Sequence, residues 1–306
     1  MAVWLDEIVS EEKLLLPGHN ACAGCGPAIN IRHVLGGLAS AAPESKIVLV
    51  IPASCWTIIA GVYPVNAFGV SVHLTPFASA AAEASGIKAA LRLRGLGDTN
   101  VVVWGGDGAT ADIGFSGVSA AAERNEDIIY VLNDNEAYMN TGVQKSGATP
   151  EGAWTTTTPA GAPKAGQKKD IARIMAAHGI PYVATLAAGS VPMLRDFRAK
   201  VERAAELRGF RFLHVLGACP PGWRYPTSQS TEIARLAVES RYFPLFECDH
   251  GTWRITHRPK HPLPIGDFLE TQGRFSHLSP GEIDSIQSHV DERWNLLAGL
   301  ESQGNG

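Results

Sequence analysis

Apolar residues along this chain follow two rhythms. Short unbroken runs, at Lys46 to Ile51 (apolar after its first residue), Val101 to Trp104, Ile128 to Leu132, Ile180 to Leu186 and Arg211 to Gly217, have the length and branching of strands buried on both faces. Between them lie segments with the period of a helix: near Ala28 to Leu38, an Ala-rich stretch from Thr75 to Arg94, Ile113 to Glu123, Asp170 to His178 with Asp170 as its cap, and Val191 to Arg208. This alternation predicts an α/β fold, a doubly wound and mostly parallel sheet. A first amphipathic helix is expected around Leu5 to Leu16, ended by Pro17, and a later one after Pro226, with Ser230 or Thr231 capping ahead of Glu232. Beyond Phe243 come short strands, a Pro/His-rich hinge and helices from Ile265 and Pro280. The expected division is a domain over 1–240 and an extension, 241–306, that packs on it or on partner subunits. Ser146 to Gln167, rich in Gly, Thr and Pro, has no apolar period and is too long for a mere connector, so it is expected to be a functional loop.

The polar residues that matter follow the strands. Val101 to Trp104 breaks at Gly105-Gly106-Asp107-Gly108, and Ile128 to Leu132 delivers Asn133, Asp134, Asn135 and Glu136. Carboxyl ends of parallel strands are where open sheets bind ligands, so Asp107 and Asn135 are expected side by side there. A carboxylate, an amide oxygen and backbone carbonyls form a hard-oxygen set suited to Mg²⁺ bridging a diphosphate. Gly106, Gly108 and Ala109 can present backbone N–H groups to the same phosphates. The plainer alternative is a strand-to-turn junction with a helix cap.

Five cysteines, an odd number, argue against a disulfide framework. Cys22-x-x-Cys25 sits in a Gly-rich loop, while Cys55 and Cys219 each follow a strand. Zinc, a redox dithiol and an iron–sulfur cluster all use the two-residue spacing. Cys248 reads as a packed thiol, His19 and His73 as loop or core histidines, and Lys164, Lys168 and Lys169 as a solvated helix start.

Composition narrows the class. A chain of 306 residues, 45% hydrophobic and 18% charged, is that of a soluble globular protein, and a formal charge of −4 gives no reason to expect nucleic acid or an anionic membrane as partner. No run approaches a transmembrane helix, and the N-terminus is acidic where a signal peptide is basic, so the expected location is cytoplasmic.

The motifs GDGATADIG, DNEAYMNTGVQ and GATPEGAWTTTTP together resemble the thiamine-diphosphate-binding β subunit of 2-oxoacid:ferredoxin oxidoreductases, the pyruvate enzyme's family. The resemblance spans most of residues 15–240. It implies thiamine diphosphate held through Mg²⁺ by Asp107, Asn135 and the carbonyl of Ala137, with Asn140 near the reacting carbon and Thr141 beside it. It also implies a [4Fe–4S] cluster on Cys22, Cys25, Cys55 and Cys219. The implied activity is oxidative decarboxylation of a 2-oxoacid, pyruvate first, to acyl-coenzyme A and CO₂ with electrons passing to ferredoxin. The implied partners are the oxidoreductase's other subunits (alpha, gamma, delta type), one of which supplies the glutamate that activates the cofactor, so the chain alone should be inactive. The Thr-rich loop is then expected to pack on a partner or cover the site. Other oxoacids (2-oxoisovalerate, 2-oxoglutarate, an aryl glyoxylate, oxalate) preserve every motif. A zinc-binding structural module would explain the cysteines alone, and a non-redox thiamine decarboxylase would leave them idle.

Overall fold

Residues 14–61 and 65–304 are described in a computed structural model. Eight strands form one sheet in the order β2-β1-β3-β4-β6-β5-β7-β8. They are β1 (Ile47–Pro52), β2 (Ser71–Thr75), β3 (Asn100–Gly106), β4 (Ile129–Asp134), β5 (Tyr182–Leu186), β6 (Arg211–Leu216), β7 (Phe246–Asp249) and β8 (Thr252–Ile255). The first six run parallel, and β7 and β8 join antiparallel at the edge beyond β5. All residues of β4, β5 and β6 are buried, which is why those strands read as unbroken apolar runs.

Helices cover both faces. On one, α1 (Gly26–Ala41) packs Ile31, Val34 and Leu38 beneath Leu49, Val102 and Trp104 of the sheet. Two helices follow in the chain, the one-turn α2 (Trp56–Ile59) and α3 (Ala80–Leu93). The short α4 (Asp107–Ala111) comes next, then α5 (Phe115–Glu123), α6 (Ile171–Ala176) and α7 (Val191–Glu206). Helix α7 lies beside α1 in the same apolar layer, through Phe197 and Val201. Helices α3, α5 and α6 seal the other face over Val101, Val103, Tyr130 and Leu132. The remaining helices are α8 (Pro220–Trp223), α9 (Ser230–Glu239), α10 (Ile265–Leu269) and the long α11 (Pro280–Gly304).

Chain order places the ligand crevice. From β1 the chain steps outward to β2, then crosses back over β1 to β3 and proceeds the other way to β4. Loops therefore diverge at the carboxyl ends of β1 and β3, the switch point where doubly wound sheets leave a crevice.

Several expectations need correction. The predicted N-terminal helix lies largely outside the described residues, and its described end is extended: Leu15 bridges Phe68, and the Leu16 N–H donates to Ala67 O at 2.7 Å. The stretch from Thr75 is helical only from Ala80; the helix expected from Ile113 starts at Phe115 as α5, and a short helix not anticipated, α4, precedes it over the expected turn. Strand β2 was not anticipated, because an edge strand with Ser71, His73 and Leu74 exposed carries no apolar run. Neither Ser230 nor Thr231 caps α9; the Ser230 hydroxyl donates instead to the Gly24 carbonyl and accepts from Tyr225. Asp170 does cap α6, accepting from the Arg173 N–H.

Candidate functional site

A cleft of about 140 Å³ opens at the switch point. Its walls are residues 53–57 after β1, Phe77 after β2, Gly106, Asp107 and Gly108 after β3, and Asn133, Asn135 and residues 137–141 after β4. Of the residues predicted from sequence, Gly106, Asp107, Gly108, Asn135, Ala137, Asn140, Thr141 and Cys55 all line it. Ala109 does not; it is buried behind the wall, with its carbonyl 3.4 Å from the Tyr130 hydroxyl. Gly108 leaves no room for a side chain, since a Cβ there would lie 2.1 Å from the Tyr138 ring.

Asp107 is 4% exposed and accepts from the Ser146 hydroxyl. Burial pushes its carboxyl well above the usual carboxylate range, and the nearby charge of Asp134 pushes the same way. A cation in the cleft would reverse that penalty. Asn135 fits the same occupant, because its buried side-chain oxygen has no hydrogen-bond partner. The Asn133 oxygen is also unpartnered and also on the wall. Oxygens that hydrogen-bond nothing around a desolvated carboxylate are what a hard cation with a diphosphate would satisfy.

What aims Asn135 is a buried charge network behind it. Asp134 accepts from the Glu136 N–H at 3.0 Å through Oδ1 and from Lys168 Nζ at 3.2 Å through Oδ2, and His214 Nε2 lies 2.8 Å from the latter oxygen. Glu136, fully buried, accepts from Lys168 at 2.6 Å and the Tyr242 hydroxyl at 2.7 Å, and pairs with Arg274 at 2.7 Å. Its backbone is left-handed, with φ of 67°. The Trp223 indole N–H donates to the Asn135 carbonyl at 2.8 Å.

Sequence reasoning placed none of these supports. Lys168, expected to be solvated, is only 9% exposed; Lys164 donates to the Thr149 carbonyl and Lys169 to that of Ala111. The three lysines fasten the 146–167 loop inward. Arg274 comes from the C-terminal extension, where the sequence offered no candidate site residue. His73 pairs with Glu83 on the edge strand, and His19 contacts Arg32; neither lines the cleft. Cys248 is buried on β7, paired in register with Trp253.

The other four cysteines gather beside the cleft. The Gly26 N–H donates to the Ala218 carbonyl at 3.0 Å, holding the start of α1 against the loop that carries Cys219. Cys55 lies within electrostatic reach of Cys22, and Cys219 within reach of Cys22, Cys25 and Cys55. Burial pushes the thiols of Cys25 and Cys219 up to about 12 and that of Cys55 up to about 11. Among the described residues no three Cys, His, Asp or Glu side chains close to the spacing of a single metal ion. A cubane takes one thiolate at each of four corners and spans more. The backbone of Asn140 lies near the Cys55 thiol, and both residues line the cleft, so the two halves of the site adjoin there.

A larger cavity, about 250 Å³, lies apart from this cleft beyond Lys168, bounded by Arg173, Tyr242, Phe275 and α11. None of the predicted cofactor residues lines it.

A doubly wound, mostly parallel sheet with a cleft at its switch point is the frame of a cofactor-binding domain. Residues 54–215 match the family described as thiamine pyrophosphate enzyme, C-terminal TPP binding domain. The chain is 44% identical to ketoisovalerate oxidoreductase subunit VorB of Pyrococcus furiosus over 299 residues, 94% of each chain. It is 45% identical to pyruvate synthase subunit PorB of Methanocaldococcus jannaschii over 296 residues, 94% of this chain and 97% of that one. In fold it resembles 2-oxoglutarate:ferredoxin oxidoreductase from Magnetococcus marinus, with a TM-score of 0.57 and 23% identity over 71% of this chain and 77% of that one. The chain belongs to the thiamine-diphosphate-binding β subunits of the 2-oxoacid:ferredoxin oxidoreductases.

Proposed function

We propose that this chain is the cofactor-carrying subunit of an oxidoreductase that converts a 2-oxoacid and coenzyme A to acyl-coenzyme A and CO₂, releasing two electrons and one proton. The observation that carries the reading is that Asp107, Asn135 and Cys55 share the walls of one cleft. When bound, thiamine diphosphate supplies a carbanion-stabilising centre and a [4Fe–4S] cluster supplies a one-electron acceptor.

The chain's own residues bind and separate these parts. Asp107 contributes the charge that holds Mg²⁺, and Asn135 and the Ala137 carbonyl complete its protein ligands. Gly106 and Gly108 lend backbone to the diphosphate. Asn140 and Thr141 stand exposed at the mouth, where Asn140 faces the oxoacid. Cys22, Cys25, Cys55 and Cys219 hold the cluster; burial keeps the thiols of Cys25, Cys55 and Cys219 protonated until iron takes the proton's place, which makes these three poor nucleophiles toward acyl groups. Trp104 and Trp56, buried beneath, keep water from the floor.

Residues 1–240 form the cofactor unit, and 241–306 extend it. Other subunits complete the site, including the carboxylate that activates the cofactor, and ferredoxin takes the electrons; the assembly works in the cytoplasm. No helix among the described residues is long and apolar enough to cross a membrane. Relatives named for pyruvate and for ketoisovalerate are equally similar, so the proposal stands at the level of the oxoacid class.

The test uses the assembled complex with Asp107→Ala. Bound thiamine should fall below a tenth of the wild-type content while iron and acid-labile sulfide stay near four per chain. Full thiamine retention would remove Asp107 from the site. Coenzyme-A-dependent dye reduction with pyruvate, 2-oxoisovalerate, 2-oxoglutarate, an aryl glyoxylate and oxalate in parallel identifies the oxoacid, and activity with none of them would refute the class.

A further inference from the structure

The residue after the 146–167 loop does more than end it. We infer that Lys168 is a positioning residue for the cation site: its ammonium, clamped between the carboxylates on either side of Asn135, fixes the turn that points the Asn135 oxygen into the cleft. The inference rests on the cation reading above and names the group that prepares its ligand.

The geometry is specific. Strand β4 ends at Asp134, and Asn135 lies between Asp134 and Glu136; neither flanking residue lines the cleft whereas Asn135 does, so holding both carboxylates behind the wall leaves the residue between them turned toward it. Lys168 touches both anchors, at 3.2 and 2.6 Å. Without it the two carboxylates would face each other, buried, across a single residue, and the left-handed backbone of Glu136 would lose the contacts that hold it. Tyr242 and Arg274 grip only Glu136, and His214 only Asp134. Lys168 is the cation shared by the pair. Its aliphatic stem and head lie beside the Tyr242 and Phe243 rings, with the ammonium 5.6 and 5.9 Å from their centres, so its own freedom is small. The same loop reaches Asp107 through Ser146 and the Glu136 carbonyl through Thr149. One segment thus braces both proposed side-chain ligands.

The experiment depletes the assembled complex of cofactor with chelator, titrates Mg²⁺ at fixed thiamine diphosphate, and counts retained thiamine after gel filtration by conversion to thiochrome. Lys168→Met should raise the half-saturating Mg²⁺ about 10- to 100-fold, the usual cost of losing a group that orients a metal ligand. Lys168→Arg should recover part of it, and saturating Mg²⁺ should restore full thiamine. Asp127→Asn, in a buried ion pair at the far ends of the strands, should lower the melting temperature without moving the Mg²⁺ midpoint, which separates positioning from general destabilisation. If Lys168→Met does not assemble, Tyr242→Phe carries the test, since it removes only one donor to Glu136 and should raise the midpoint several-fold. An unmoved midpoint in the assembled variant overturns the role of Lys168. A wild-type complex that retains thiamine without Mg²⁺ overturns the cation reading itself.

Discussion

Gly26→Ala tests whether the cysteine loops are held together by backbone contact. A Cβ at Gly26 would stand 2.5 Å from the Ala218 carbonyl oxygen and 2.8 Å from its nitrogen, about 0.9 Å short of ordinary contact at 3.4 Å from that oxygen. Neither atom is the tip of a flexible side chain. The start of α1 must therefore retreat by most of an ångström, which stretches the 3.0 Å bond from the Gly26 N–H to Ala218 beyond hydrogen-bonding range. Overpacking of this kind costs about 1–3 kcal/mol and the lost bond about 1 kcal/mol, while alanine in the first helical turn returns at most about 1 kcal/mol. The net destabilisation is about 1–3 kcal/mol, a melting-point drop of a few degrees at roughly 2 °C per kcal/mol. The sharper effect is local: Cys25 precedes the displaced residue and Cys219 follows its obstacle. Iron and the visible band should fall well before thiamine content does. A variant with wild-type iron, sulfide and melting temperature would show that the two loops are joined some other way.

Cys219→Ser should bleach the visible spectrum or make it labile to air while leaving bound thiamine unchanged; an unaltered spectrum would exclude this thiol as a cluster ligand. Asp127→Ala strands the buried cations Lys88 and Arg211, which lie 3.0 and 2.5 Å from its carboxylate, and should cost about 3–5 kcal/mol in denaturant melts, with wild-type stability as the refuting result. Burial alone would raise the Asp127 carboxyl, but Arg211 and Lys88 outweigh it and hold it below its usual range. The pair's contribution is thus complete above about pH 4 and is lost as pH falls through the depressed native value, and the difference between wild type and variant should shrink in acid melts.

How much of this was legible in the sequence follows from what each residue depends on. Strands buried on both faces announce themselves, because solvent on neither side permits unbroken apolar runs, and β1, β3, β4, β5 and β6 were found within a residue or two. That Asp107 and Asn135 share one cleft wall was legible because the carboxyl ends of parallel strands open on the crevice of such a sheet. Strand β2 was hidden by its exposed edge. With it went Phe77, whose place on the wall depends on a strand no pattern revealed. Lys168 and Arg274 were unreadable for a different reason. A lysine before a helix and an arginine in a tail look solvated until the fold brings them to Glu136, at sequence separations of 32 and 138 residues. Their signal lay in the acids: Asp134 and Glu136 follow the apolar run Ile128 to Leu132, and charges buried there require partners.

The two halves of the site are also built from each other. Trp223, four residues after Cys219, gives its indole N–H to the carbonyl of Asn135, and Arg274, which pairs with Glu136, stacks on the same indole at 3.9 Å. On the cleft side Asn140 and Cys55 share one wall, while the Met139 side chain fills the space over Gly222, where a Cβ would meet its sulfur at 2.1 Å. The loop that would hold the cation and the loops that would hold the cluster therefore cannot move independently. Substitutions at the joints, Trp223 and Met139, should disturb both cofactors together, whereas those at Asp107 or Cys219 remove one ligand and leave the opposite half its own supports. A short, rigid separation between an electron donor and its acceptor needs such shared packing, because a displacement on either side alone would change the distance between them.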